Sequence, residues 1–327
     1  RRALDRASDR GRRGVTPHRS WTSRNSGVHP PKRYNNLIEM IGNTPLVKLQ
    51  GVTRDLPKGV EVWAKLEFMN PGGSVKDRPA RQIILDAIAD GKLGSGQRLI
   101  DATSGNTGIA YAMLGAALDV PITLVMPGNV SEQRRHIVTT FGAEIILSDP
   151  MAGSDGAITL VRELMEQDTE GKYFYADQYS NPSNPLAHTL TTAPEIWKQT
   201  DGRVTHFVAC TGTSGTVMGT GRGLKGYSEE IKVIGAQPAD AFHGLEGLKH
   251  MPSSIVPRIY HEDLLDDVLW IETEEGWDMA EQLAIDEGLA AGNSGGANVV
   301  AALRIASELE KGVVVTVICD HADRYMD

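Results

Sequence analysis

The sequence predicts an α/β protein of about two domains with largely parallel sheets. Three observations predict this. Short β-branched apolar runs recur from residue 36 onward, they alternate with longer segments of helical period, and several are apolar on both faces. A strand apolar on both faces belongs in a sheet covered by helices on each side. Strand–helix alternation then implies right-handed crossovers between parallel strands. At 327 residues the chain is long enough to bury a large core.

In chain order the expected strands are 60–67, 98–102, 122–126, 144–147, 173–176, 206–210, 232–236, 268–271 and 313–319. The expected helices are 74–89, 106–118, 131–141, 155–166, 186–199, 214–225, 276–286 and 295–309. The strands are short runs rich in apolar and β-branched residues, and the helices are longer segments of helical period. The Asn/Pro/Ser loop Asn181–Pro185 reads as a passage between two domains.

Composition narrows the function classes. The net charge is −9, yet residues 1–34 hold ten Lys and Arg against Asp5 and Asp9, a net +8. The body is therefore strongly acidic and has no general attraction for nucleic acid or an anionic membrane. No apolar stretch approaches the length of a membrane span. Residues 1–35 read as a disordered basic extension whose Arg and Ser content only faintly suggests a transit peptide. Cys210 and Cys319 each end an apolar run, which suits buried thiols in a cytoplasmic protein better than a disulfide. No metal-ligand spacing is evident.

Four stretches carry chemistry. In RLIDATSGNTGIAYAML a strand runs through a small polar loop into a helix, whose first N–H groups point outward and can hold phosphate or carboxylate. THFVACTGTSGTVMGTG repeats that design around Gly212, Thr213, Ser214, Gly215 and Thr216. Either loop alone reads as a tight turn; the pair suggests two ligands with an anionic group each. In NPGGSVKDR, Ser74 and Asp77 have the spacing of a capping box. That places Lys76 in a first helical turn, where the dipole disfavours a cation. A neutral lysine amine is what Schiff-base chemistry needs, although most lysines are simply solvated. In GLAAGNSGGANVVAAL, Ser294 alone reads as a helix cap.

Together with GNTPL, DQYSNPSNP and CDHADRY, these stretches resemble the cysteine synthase (O-acetylserine sulfhydrylase) family, nearest its B-type members, over about nine tenths of the chain. The resemblance implies the fold-type II, tryptophan synthase β-like architecture. That is two three-layer α/β domains with pyridoxal 5'-phosphate in the cleft, usually as a homodimer. It places a smaller N-terminal domain at 60–176 and a larger one at 36–59 plus 177–327. Lys76 would hold the cofactor covalently and act as general base, Gly212 to Thr216 would bind its phosphate, Asn106 its ring hydroxyl, and Ser294 would face its pyridine nitrogen. Thr103, Ser104, Thr107 and Gln178 would hold the substrate carboxylate.

The implied reaction is β-replacement, forming L-cysteine from an O-activated L-serine, O-acetylserine being favoured, with sulfide or another sulfur donor. Lys249, in AFHGLEGLKHMPSSIVP, stands where the donor's phosphate or acetyl group could be met; a solvated rim lysine is the alternative. O-phosphoserine use and cystathionine β-synthase-type activity are the alternatives within the family. From another class, a catalytically silent partner of serine acetyltransferase is disfavoured by the intact Lys76, Asn106 and Ser294. His188 and His321 match no catalytic position and are expected to be structural or solvated.

Overall fold

The computed structural model describes residues 33–103 and 105–325. The expected extension at 1–35 lies almost entirely outside the described residues. The compact unit Asn35–Asp327 contains two sheets, as the alternation of apolar runs predicts. The strands are β1 (Leu46–Lys48), β2 (Gly59–Leu66), β3 (Arg98–Ala102), β4 (Ile122–Pro127), β5 (Glu144–Ser148), β6 (Tyr173–Tyr175), β7 (His206–Cys210), β8 (Lys232–Pro238), β9 (Asp267–Ile271) and β10 (Lys311–Ile318). The helices are α1 (Asp77–Ala89), α2 (Asn106–Leu118), α3 (Glu132–Thr140), α4 (Gly153–Gln167), α5 (Ser183–Ala187), α6 (Ala193–Gln199), α7 (Gly215–Tyr227), α8 (Thr273–Glu287) and α9 (Asn293–Ser307). None among the described residues is long and apolar enough to cross a membrane.

One sheet has the order β5-β4-β3-β6 and is wholly parallel. The other has the order β1-β2-β10-β7-β8-β9, parallel except for the short antiparallel edge strand β1. β4 is buried throughout, and β10 is buried after its first residue. Such strands cannot sit at a solvated edge, so each takes partners on both sides. Separate apolar clusters cover the two faces of the larger sheet, one including Val62, Ile234 and Val314 and the other Phe207, Val233 and Val315.

The structure departs from the sequence reading in places that matter to the site. The strand at 59–66, assigned by resemblance to the smaller domain, pairs with β10 from Gly59 opposite Lys311 to Leu66 opposite Ile318. It therefore belongs to the larger sheet. The apolar strand β10 needs this second partner, and Val60, Val62 and Ala64 join the larger sheet's core.

The capping box at Ser74 does not form. α1 begins at Asp77 with Lys76 at the cap position, and Asp77 accepts a hydrogen bond from the Gly72 N–H instead. The expected 186–199 helix is divided by a π turn at His188–Thr192, beside Pro194, which lacks an N–H to donate. β1, three residues long, is too short to show a period of its own.

Candidate active site

A cleft runs from an outer mouth of about 950 Å³ into an adjoining inner chamber of about 540 Å³, both figures including space open to solvent. Lys76, Asn106, Thr213, Glu246, Gly247 and Tyr325 line both parts, so the two are continuous. The walls come from the carboxyl ends of parallel strands, where α/β folds gather ligands. β3 leads to the 103–105 loop and α2, β7 to the 211–214 loop and α7, and β10 to Cys319 and Asp320.

Lys76 is half-buried, and its Nζ has neither a hydrogen-bond nor an ion-pair partner among the described residues. Ser74 Oγ accepts from its backbone N–H at 3.2 Å. An amine without a partner that faces a chamber is sterically accessible to a carbonyl group entering it.

Opposite, the loop 212–216 forms a cradle. Ser214 adopts φ 70° as the cap residue of α7 and its side chain makes no capping hydrogen bond, while the Gly215 N–H makes a long 3.4 Å contact with Thr213 Oγ1. The first N–H groups of α7 are thus available to an anion. Two glycines make the cradle tight. A Cβ on Gly212 would lie 2.1 Å from the Gly247 carbonyl oxygen, and one on Gly215 would lie 1.9 Å from Asn184 Oδ1. Asn184 is itself held, donating to the Gln178 carbonyl at 2.7 Å and to Thr213 Oγ1 at 3.1 Å. His188 stands behind this wall. Its Nε2 lies 3.4 Å from Thr216 Oγ1 and its Nδ1 2.9 Å from Thr192 Oγ1. Burial, then the charge of Arg78, push its pKa down to about 3, so the ring is neutral.

Ser294 lines the inner chamber near the start of α9 and is buried. Thr103 and Thr107 line the outer part. Thr103 Oγ1 accepts from the Gly108 N–H at 3.2 Å, which shapes the loop, while Thr107 Oγ1 donates to Gln178 Oε1 at 2.9 Å. Gln178 Nε2 in turn donates to the Ala102 carbonyl at 2.8 Å. Gln178 therefore spends both ends of its amide joining β3 to the first turn of α2, although it also reaches the cleft wall. Ser104 lies outside the described residues. Lys249 is absent from the cleft lining. It is buried, pairs with Asp155 Oδ1 at 3.0 Å and sits over the Tyr179 ring, which corrects the picture of a solvated rim lysine. Donor contact remains a reading that nothing in this arrangement supports. His321, half exposed, pairs with Asp323 at 3.3 Å. No His/Cys/Asp/Glu cluster among the described residues could hold a metal ion. Cys210 and Cys319 are both free thiols; Cys319 lies in the inner wall, where burial raises its pKa to about 11.

Sequence reasoning missed part of the wall. Arg134, Glu246, Asp320 and Tyr325 all face the cleft. Arg134 donates to Glu246 at 2.6 Å and lies over the Tyr325 ring. The available signal for Asp320 was position, since it follows the third strand whose carboxyl end meets the other two loops.

An uncapped helix start, an unpartnered lysine amine, a buried hydroxyl and a carboxamide fit a phosphorylated cofactor with a reactive carbonyl. Fold and site together define an α/β enzyme that holds such a cofactor beside two sheets. Residues 37–320 match the family model described as pyridoxal-phosphate dependent enzyme. The chain is 53% identical to a cysteine synthase of Aquifex aeolicus, covering 90% of this chain and 91% of that one. It is 44% identical to cysteine synthase B of Salmonella typhimurium, covering 89% and 94%. A crystal structure of cysteine synthase from Entamoeba histolytica superimposes with a TM-score of 0.87 at 38% identity, covering 91% and 90%. The protein belongs to the pyridoxal-phosphate dependent enzyme family, with the fold-type II architecture.

Proposed function

We propose that this protein is a pyridoxal-phosphate-dependent cysteine synthase, replacing the β-acetoxy group of O-acetylserine with sulfide. The observation that carries the reading is that the unpartnered Lys76 amine shares one cleft with the uncapped α7 cradle and the 103–107 loop. Similarity to cysteine synthases over most of the chain supports it.

The cofactor, when bound, supplies the electron sink that makes the substrate's Cα proton removable. The rest falls to this chain. Lys76 Nζ takes the Cα proton and returns it after sulfide has added. The 212–216 loop would grip the phosphate, and Asn106 and Ser294 would meet the cofactor ring. A serine hydroxyl at the ring nitrogen, unlike a carboxylate, would not hold a proton there. Thr103, Ser104 and Thr107 take the substrate carboxylate, with Gln178 as their brace. A smaller domain, within residues 60–176 and built on the β3–β6 sheet, closes over that carboxylate, and two copies of the chain form the working dimer.

The test is to supply the purified protein with pyridoxal phosphate, record its visible absorption, and assay cysteine formation from O-acetylserine and from O-phosphoserine. Lys76→Ala is expected to abolish covalent cofactor attachment and to cut turnover by at least about a hundredfold, the scale of a lost general base. A wild-type protein that forms no coloured adduct overturns the reading.

A further inference from the structure

Asp320 is 1% exposed, yet it lines the inner chamber beside Lys76 and Asn106. Its Oδ2 accepts two short hydrogen bonds, each 2.6 Å, from Asn106 Nδ2 and from the Tyr325 hydroxyl. Its Oδ1 is buried with no partner among the described residues. The backbone is fixed too, because the Asp320 carbonyl accepts from the Gly292 N–H at 3.1 Å and the residue bridges to Ser74.

Burial raises the Asp320 pKa, opposed by the hydrogen bonds from Tyr325 and Asn106, and its Oδ2 serves both of them as acceptor. With the Asn106 nitrogen turned to that oxygen, the two ends of the amide are no longer interchangeable. One Nδ2 hydrogen goes to Asp320, and the other remains for a ligand in the chamber. A lone asparagine in a cleft could present either end. Tyr325 secures the arrangement by donating to the same oxygen and closing the chamber wall with its ring.

We propose that Asp320, braced by Tyr325, is a positioning residue that locks the Asn106 amide with an N–H facing the cofactor's ring oxygen. This rests on the function proposed above, since it needs the cofactor in this chamber. It assigns a task to a buried acid and a C-terminal tyrosine that the proposed reaction does not itself require.

The test uses the full chain loaded with pyridoxal phosphate. It compares Asp320→Ala, Asp320→Asn, Tyr325→Phe, Asn106→Ala and the Asn106→Ala/Asp320→Ala pair. Two readouts are taken: the dissociation constant of the cofactor, and the pH dependence of its visible absorption band. Loss of one charge-assisted bond predicts about tenfold weaker retention in Asp320→Ala. The same change is expected in Asn106→Ala, with no further loss in the double variant, because both remove one contact. Asp320→Asn keeps an acceptor oxygen without the charge and is expected to recover most of the loss, with Tyr325→Phe intermediate. Additive losses, or an Asp320→Asn protein as weak as Asp320→Ala, would overturn the inference while leaving the function standing. If Asp320→Ala does not fold, Asp320→Asn against Asn106→Ala decides in the same way. A wild type that binds no pyridoxal phosphate overturns the proposed function itself.

Discussion

Replacing Arg78 with methionine tests what holds the lysine-bearing helix in place. Arg78 lies two residues after Lys76, and its side chain is fully buried. Nε donates to Glu67 at 2.7 Å, Nη1 to Glu195 at 2.7 Å, and Nη2 to both carboxylates at 2.8 Å. Glu67 projects from the end of β2 and Glu195 from α6, so one guanidinium joins α1 to both. Among the described residues Lys65 is the other cation bonded to this group, 2.7 Å from Glu195.

Methionine fills most of the volume but strands Glu67 in the core. Breaking one side of a buried ion network costs about 3–5 kcal/mol, or roughly 5–15 °C in melting temperature for a domain of this size. Urea unfolding of wild type, Arg78→Met, Glu67→Gln and the double variant measures it. The double variant should cost less than the two single losses added together, because the neutral amide introduced by Glu67→Gln is not a stranded charge. The acid limb should change as well. Burial raises the Glu195 pKa, but Arg78 and then Lys65 outweigh burial and leave it at about 2. This carboxylate therefore contributes stability that is present above its ordinary value of 4.5 and is lost as pH falls toward 2. That slope should flatten in Arg78→Met. A loss under about 1 kcal/mol, or simple additivity in the double variant, would refute the network as the anchor of α1.

Three further outcomes follow from the geometry. Gly215→Ala should weaken cofactor retention by about tenfold or more in a binding titration, since its Cβ would collide with an Asn184 side chain tied at both Nδ2 contacts. Lys249→Ala and Asp155→Ala should each slow turnover with O-acetylserine by a similar factor, and the pair by no more than either. Their ion pair links α4 to the loop after β8, and losses that multiply would show separate roles. His188→Asn should flatten stability between about pH 6.5 and 3, measured by melting temperature. A histidine kept neutral by burial takes its proton only on unfolding, so the wild type loses stability as pH falls through that window.

What the sequence makes legible here follows from the range over which each determinant acts. β3, α2 and β7 begin and end where the sequence reading places them, because apolar runs and the Gly-rich turns after them are local signals. Lys76, the 212–216 loop and Ser294 were singled out by the resemblance of their motifs to a known family, since each alone reads as a solvated lysine, a tight turn or a helix cap; the structure places all of them on the cleft wall. The sheet that receives β2 is not a local matter. Val60 and Val62 would be buried in either sheet, and only the need of β10 for a second partner decides between them.

The same distinction explains Lys249 and Asp320. Lys249 looks like a solvated cation until Asp155, 94 residues away in sequence, reaches it. Asp320 in CDHADRY carries no sequence signal of its own until α2 brings Asn106 to it across 214 residues. A buried charge owes its survival to a partner, and partners distant in sequence leave no periodicity to read. The cleft residues most easily found from sequence are thus those in short motifs at turns. Those that meet them from far along the chain, like Asp320 behind Asn106, emerge only when the strand ends have been brought together.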